Sequence, residues 1–379
     1  MRLLKAFAAL FLFFLIYSHE AHAQKQNFIK RYINRLINDT NDIAKPQFFA
    51  YPTLAFSPET SWEIGLSNIY IYYTNRDTSN RLSEIYGFTF YTFEKQYGIW
   101  LDHALYSDKN NWSYIGRIRY QNFPMLFYGV GMDAPKENPL RVDALQLSVR
   151  ERVLKRVYKN LYIGPEVDFQ NISNVSFHGN GQLVNKPIGF EGSSNLGLGA
   201  GFIWDERHNV LNVRDGSFFE LAALHYNSAF ASNFTFTSLV TDNRYYIPMN
   251  KRDVLAMQLL GEFNLGQVPF NQLALMGAEG MMRGYYRGRY RDKNQLAAQA
   301  EYRLLPLPFN FTKRWGATVF ASAATVFNEF KAFKPSEVVV AGGAGIRFLL
   351  FPKKDIYSRL DVAFTKEGRG IYIFIGEAF

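Results

Sequence analysis

The groups in this 379-residue chain that could do chemistry are mainly arginines and carboxylates, and their pattern suits binding one another better than attacking a substrate. Arg283 stands in the run Met282-Arg283-Gly284-Tyr285, inside the long stretch 264–293. A guanidinium is a planar fork of donors that matches the two oxygens of a carboxylate. Gly284 permits the tight backbone that the tip of a folded-back loop requires. Carboxylates able to receive Arg283 stand at Glu262, Glu301 and Asp361, each on the polar side of an alternating segment. The plain alternative is a solvated basic loop, because Arg287, Arg289 and Arg291 follow closely. Residue types alone leave both arrangements open, and they do not say which acid would pair with Arg283.

Other chemistries find no support. There is no cysteine, which excludes a disulfide scaffold, a Cys zinc site and a lipid-anchored cysteine. His103, His178, His208 and His225 are far apart and lack metal-ligand spacing. No Gly-x-Ser-x-Gly elbow or phosphate loop occurs. Gly197, Gly199 and Gly201, and Gly342, Gly343 and Gly345, lie in segments that read as strands, where glycine allows bending and close approach. The chain is therefore read as a non-enzyme with neither metal nor cofactor. A formal charge of +9 could suggest nucleic acid, but an exported chain points instead to a basic lumen or to outer loops beside lipopolysaccharide phosphates.

Export is read from the first residues. Arg2 and Lys5 form a short basic region, Leu3 to Tyr17 is almost wholly apolar, and Ala21-His22-Ala23 offers a small-x-small cleavage site, so 1–23 reads as a signal peptide. Residues 24–47 carry Phe28, Ile29, Tyr32, Ile33, Leu36 and Ile37 at helical spacing, which predicts a short amphipathic helix ended by Pro46. Downstream of Gln24 no run reaches the ~20 apolar residues of a spanning helix. From 48 to 379 the period is two. Leu296, Ala298, Ala300, Tyr302 and Leu304, for example, oppose Gln295, Gln299, Glu301 and Arg303.

Charge on the second face would be costly in a packed soluble core, whereas a water-filled lumen accommodates it. Aromatics make up 17% of the chain, enough for two interfacial girdles. The expected fold is all-β, a transmembrane antiparallel barrel of about sixteen strands with a short N-terminal helix. The expected strands are 48–57, 61–74, 84–94, 96–106, 110–120, 143–154, 159–170, 193–205, 216–227, 232–246, 252–263, 294–304, 315–327, 337–350, 355–364 and 369–379. With the N-terminus on the inner side, the long connections 121–142, 171–192 and 264–293 all fall outside.

From about residue 195 onward the chain resembles the BamA/TamA-like superfamily, also called the bacterial surface antigen family. Met282-Arg283-Gly284-Tyr285 is similar to that family's Val-Arg-Gly-Phe/Tyr motif, carried on a sixth outer loop that folds into the lumen, and it lies between expected strands eleven and twelve. Trp204-Asp205-Glu206-Arg207 with Asp215-Gly216, Glu301-Tyr302-Arg303, and Gly343 to Phe348 with Arg359 to Ala363 resemble other family segments in the family's order.

Where the family commonly has a carboxylate partner on strand thirteen, Ser322 stands here, and Glu377 replaces the usual hydrophobic residue two places before the terminal Phe379. About two dozen residues precede the first strand, too few for a periplasmic POTRA domain. The resemblance implies a role in outer-membrane protein insertion or polypeptide translocation in a Gram-negative outer membrane. The implied partners are lipid, lipopolysaccharide, unfolded outer-membrane proteins or an accessory periplasmic subunit. The implied mechanism uses a weak seam between the first strand and the last, where Gly370 and Gly376 suit weak pairing. A passive pore or a structural surface barrel is the alternative.

Overall fold

Alternation of side chains along a strand puts every second residue on the same face, so a segment with charge at one parity and bulk at the other must separate two environments. The computed structural model describes residues 42–379 except 58–60, 180, 182–184, 208 and 310–312. The expected signal peptide and helix therefore fall outside the described residues, apart from the turn that leads into the first strand at Gln47.

Among the described residues nineteen strands follow in chain order: β1 (Gln47–Ser57), β2 (Ser61–Tyr73), β3 (Leu82–Thr92), β4 (Tyr97–Tyr106), β5 (Trp112–Asn122), β6 (Met125–Phe127), β7 (Leu140–Tyr158), β8 (Leu161–His178), β9 (Ser193–Asp205), β10 (Gly216–Tyr226), β11 (Phe236–Pro248), β12 (Asp253–Gly266), β13 (Ala274–Met276), β14 (Tyr290–Asp292), β15 (Asn294–Leu304), β16 (Trp315–Phe327), β17 (Val339–Phe351), β18 (Ile356–Thr365) and β19 (Gly368–Ile375). The three-residue pieces β6, β13 and β14 belong to loops, and the other sixteen form the wall of an antiparallel barrel. No helix among the described residues is long and apolar enough to cross a membrane.

The wall is inverted relative to a soluble protein. Ile99, Leu259, Val319, Val340, Ile371 and Ile373 are exposed on its outer surface. Gln258, Gln299, Glu301, Arg303, Arg347 and Asp361 are buried inside. A basic side chain facing lipid at mid-depth costs about 2–4 kcal/mol, which explains why charge turns inward.

Successive ladders run from β1–β2 to β18–β19. No ladder between β1 and β19 occurs among the described residues. β1 and the segment before it reach instead the end of β17 and the turn that follows it. Phe49 of β1 packs its ring 4.4 Å from that of Phe351, and Lys354 donates to the Ile43 carbonyl at 2.6 Å.

Three differences from the sequence expectations have physical causes. β7 and β8 are longer than 143–154 and 159–170 because their outer ends continue as a hairpin. Val142, Ala144 and Ile172 of this hairpin pack on Phe127 and Phe270. Strands β13 and β14 pair with one another inside the long loop 267–293 and give it a hairpin stem. The last strand stops at Ile375 rather than 379. Gly376 takes φ +88°, in the region that favours glycine, and turns the chain inward. Glu377 and Phe379 are then buried in the lumen, Phe379 against Val213, Tyr246, Val254 and Ala256.

Candidate functional site

The loop between β12 and β15 folds back into the barrel, and its tip carries a fully buried charge. Met282 sits at φ +55° and its carbonyl accepts from Tyr285 N at 3.2 Å, which makes a tight turn around Arg283 and Gly284. Gly284 has φ +101°, and a Cβ there would come within 2.6 Å of Thr365 Cγ2. Met282 and Tyr285 are buried with Met276, Met281, Tyr290, Ala324 and Val339, so an apolar pad seats the tip against the wall.

The Arg283 side chain is 1% exposed. Its Nη1 donates to Asp361 Oδ2 at 2.6 Å, and its Nη2 donates to Glu301 Oε1. The guanidinium also lies 3.5 Å above the Phe320 ring. One cation therefore holds acids from β15 and β18 and an aromatic face from β16. The backbone of Gly284 adds a bond to the Tyr372 hydroxyl on β19 at 2.8 Å.

Neither acid faces Arg283 alone. Arg303 reaches Glu301 at 2.9 Å, and Arg347 and Arg359 reach Asp361 at 2.6 and 3.0 Å. Arg347 also binds Glu377 at 2.9 Å, and Arg303 donates to the Phe379 carbonyl at 3.2 Å. Arg359 donates to the Glu279 carbonyl, so the approach to the tip is held as well. The result is a continuous ionic chain from the loop tip, through the strands, to the inturned residues 376–379. Buried charges of this kind persist only when paired and hydrogen-bonded.

The loop has a second attachment near the outer rim. Arg289 pairs with Glu367 at 2.6 Å, and the Tyr290 hydroxyl donates to the same carboxylate at 2.7 Å. Burial pushes the Glu367 carboxyl up, but the bonds from Arg289 and Tyr290 outweigh it and hold it below its ordinary value. Arg291 donates to the Leu126 carbonyl at 2.8 Å, which ties the stem to the outer connection around β6.

Among the acids and the serine considered from sequence, Glu301 and Asp361 converge on Arg283. Glu262 lies elsewhere in the lumen, beside Arg150 and Arg287. Ser322 faces the lumen opposite Gln299, two residues beyond the Phe320 ring that lies under Arg283. Gly370 leaves the space that the Tyr372 side chain fills. Sequence reasoning missed Arg303, Arg347, Arg359 and Tyr372 as members of the constellation. Arg303 and Arg359 stand two residues from Glu301 and Asp361, on the same strand face, and that spacing was a readable signal. Arg347 meets Asp361 through cross-strand register, which no local pattern reveals.

A model of the Omp85 superfamily domain matches residues 66–350. The chain belongs to the Omp85 superfamily. Its fold is similar to that of BamA from Haemophilus ducreyi lacking POTRA domains 1–3, with TM-score 0.54 and 15% identity over 87% of this chain and 69% of that one. It is also similar to CdiB from Acinetobacter baumannii (TM-score 0.54, 9% identity, 87% of this chain and 59% of that one). CdiB from Escherichia coli gives TM-score 0.55 and 7% identity over 88% of this chain and 63% of that one. The Omp85 barrel described here thus spans roughly three fifths to two thirds of the length of these structures. No curated protein matches the sequence. The chain is an outer-membrane β-barrel of BamA/TamA-like type.

Proposed function

We propose that this Omp85-superfamily barrel assists the insertion of outer-membrane proteins or the translocation of polypeptide, acting without enzymatic chemistry, metal or cofactor. The observation that carries this reading is the position of the lock. Arg283 and Gly284 grip β15, β16, β18 and β19, the strands that lead up to an edge with no ladder to β1 among the described residues. An edge of unpaired strand backbone is a template for an incoming strand. The lock would hold that template in shape while the seam opens. Client strands would meet β19, whose outward Ile371 and Ile373 are 66% and 72% exposed and face lipid. Partners in this reading are unfolded outer-membrane proteins, lipid and lipopolysaccharide, with room for an accessory periplasmic subunit at the inner rim.

The inner rim argues against a passive pore. The connection 206–215 reaches the inner turn between β17 and β18, where Asn209 binds the Lys354 carbonyl at 2.8 Å and Arg214 binds Asp355 at 2.5 Å. Leu211 accepts from Glu377 N at 3.0 Å. Bonded together in this way, the connection and the inturned tail would narrow the inner mouth, and the long loop would enter the lumen from the other side.

The test is the folding rate of a urea-unfolded barrel in liposomes, with and without the purified protein. Acceleration that disappears in Arg283→Ala supports the assembly role. No acceleration by demonstrably folded protein, together with ion conductance that rises when 267–293 is shortened, would replace it with the pore.

A further inference from the structure

On the side of the lumen away from the Arg283 lock lies a cavity of about 540 Å³, within the range of small-molecule sites, ~300–1,000 Å³. One wall is aromatic. Phe88, Phe90, Trp100 and Phe123 pack ring to ring, with centroids 5.4–5.9 Å apart. Facing them are arginines from the barrel wall, Arg117 and Arg119 on β5 and Arg150 on β7, and from the loop, Arg287 and Arg291.

These cations are not equally satisfied. Arg119 reaches Asp102 at 3.1 Å and lies over the Trp100 ring at 4.7 Å. Arg150 pairs with Glu166, and Arg291 donates to the Leu126 and Gly288 carbonyls. The side chains of Arg117 and Arg287 make no ion pair or hydrogen bond with any described residue, and both line the cavity. The charges that act on Arg117 include Arg119, Asp102, Arg150 and Arg287, three of them of its own sign. The Arg117 and Arg287 side chains are both exposed to the chamber.

The acids facing the cavity do not relieve this. Asp168 is occupied by the Tyr226 hydroxyl at 2.5 Å and by Gln170 at 2.9 Å. Glu262 and Glu63 line the space without an ion pair to either free arginine among the described residues.

Two guanidiniums that line one cavity, one on the wall and one on the loop, neither in an ion pair among the described residues, make an oxyanion site with the aromatic wall as its apolar floor. We propose that this chamber binds a small organic anion, a phosphate or carboxylate attached to a flat apolar body, whose acid group bridges Arg117 to Arg287. The apolar body would lie on the Phe88–Phe90–Trp100–Phe123 wall. Because Arg287 belongs to the same loop as Arg283, the bound anion would tie that loop to β5, far from the strands that the lock already holds. The site stands apart from the insertion reading, since none of its residues touches the lock or the seam.

The probe is phenyl phosphate, titrated by calorimetry into the full chain in detergent, with benzyl alcohol as the uncharged control and inorganic phosphate as the control without an apolar body. The expected result is one phenyl phosphate per barrel, no heat from benzyl alcohol and weaker binding of inorganic phosphate. Arg117→Gln and Arg287→Gln should each weaken phenyl phosphate by about ten- to a hundredfold, the usual loss for a charge-assisted hydrogen bond. Lys331→Gln, on an exposed outer turn, should leave the affinity unchanged. Retained heat-modifiable mobility on gels shows that each variant is folded, and Arg287, being on a loop, is the variant least able to disturb the wall. The proposal is overturned if phenyl phosphate gives no heat, or if both arginine variants bind as the parent does. Equal binding of inorganic phosphate would remove the aromatic wall from the site and overturn the proposed ligand class.

Discussion

Arg283 shows how little of a buried ion's role is visible from its own residue type. Its worth lies in the acids it satisfies, because Glu301 and Asp361 are both fully buried. Arg283→Ala leaves the two acids with fewer donors and removes the cation over Phe320, a change that typically costs about 3–5 kcal/mol when one partner of a buried pair is lost. The thermal midpoint of the heat-modifiable form should fall accordingly. Arg283→Lys should recover only part, since an ammonium cannot offer the planar fork to both carboxylates.

Glu367 gives a prediction in pH. Its carboxyl is held below its ordinary value in the folded protein, so its contribution is present above the unfolded carboxylate pKa of about 4.3 and is lost as pH falls through the lower folded value. The midpoint difference between the parent and Glu367→Gln should be constant near neutrality and shrink below about pH 4. A difference independent of pH would remove the charged bond to Arg289 from the account.

Two short elements, the loop tip and the inturned tail, depend on glycine in conformations that other residues adopt at a cost. Gly284→Ala combines a strained φ with the contact to Thr365, and strain of this type costs about 1–3 kcal/mol. Protease accessibility of 276–291 should rise while the barrel itself stays folded. The tail is anchored differently, by Phe379 between Tyr246 and the Arg303 guanidinium, with ring centroids 6.2 Å apart and the cation 5.0 Å from the Phe379 ring. Phe379→Ala should lower stability by about 3 kcal/mol, as for other buried aromatics. It should also loosen Glu377, and with it one end of the ionic chain that reaches Arg283. Faster hydrogen exchange at 209–214, which the tail touches through Leu211, is the readout.

Considered as one object, the barrel in the proposed reading has a fixed side and a junction that opens. The loop tip binds strands on one side of the seam, while β1 reaches the other side through Phe49 on Phe351 and the Ile43–Lys354 bond. The absence of native cysteine makes a thiol pair at Phe49 and Phe351 chemically unambiguous. Joining Phe49→Cys to Phe351→Cys with a short bifunctional thiol reagent should suppress assembly activity in the liposome assay. Cleaving the reagent should restore it. Activity unchanged by the cross-link would mean that the junction does not open during function.

Alternation alone was enough to specify an all-β barrel, the sixteen wall strands to within a few residues in most cases, and the placement of charge inside. Each of these follows from a local period of two and the cost of charge against lipid. The tip motif Met282 to Tyr285 was recognised through its resemblance to the family's loop motif, and Glu301 and Asp361 stood among its candidate partners without being singled out. What the sequence did not contain in readable form was register. Pairing Arg347 with Asp361, setting Phe320 rather than Ser322 beneath Arg283, and turning Glu377 and Phe379 inward all depend on which residues lie opposite one another across strands and across the lumen. Those distances are set by closure of the wall and packing of the loop within it, and they exist only once the chain has folded around its own charges.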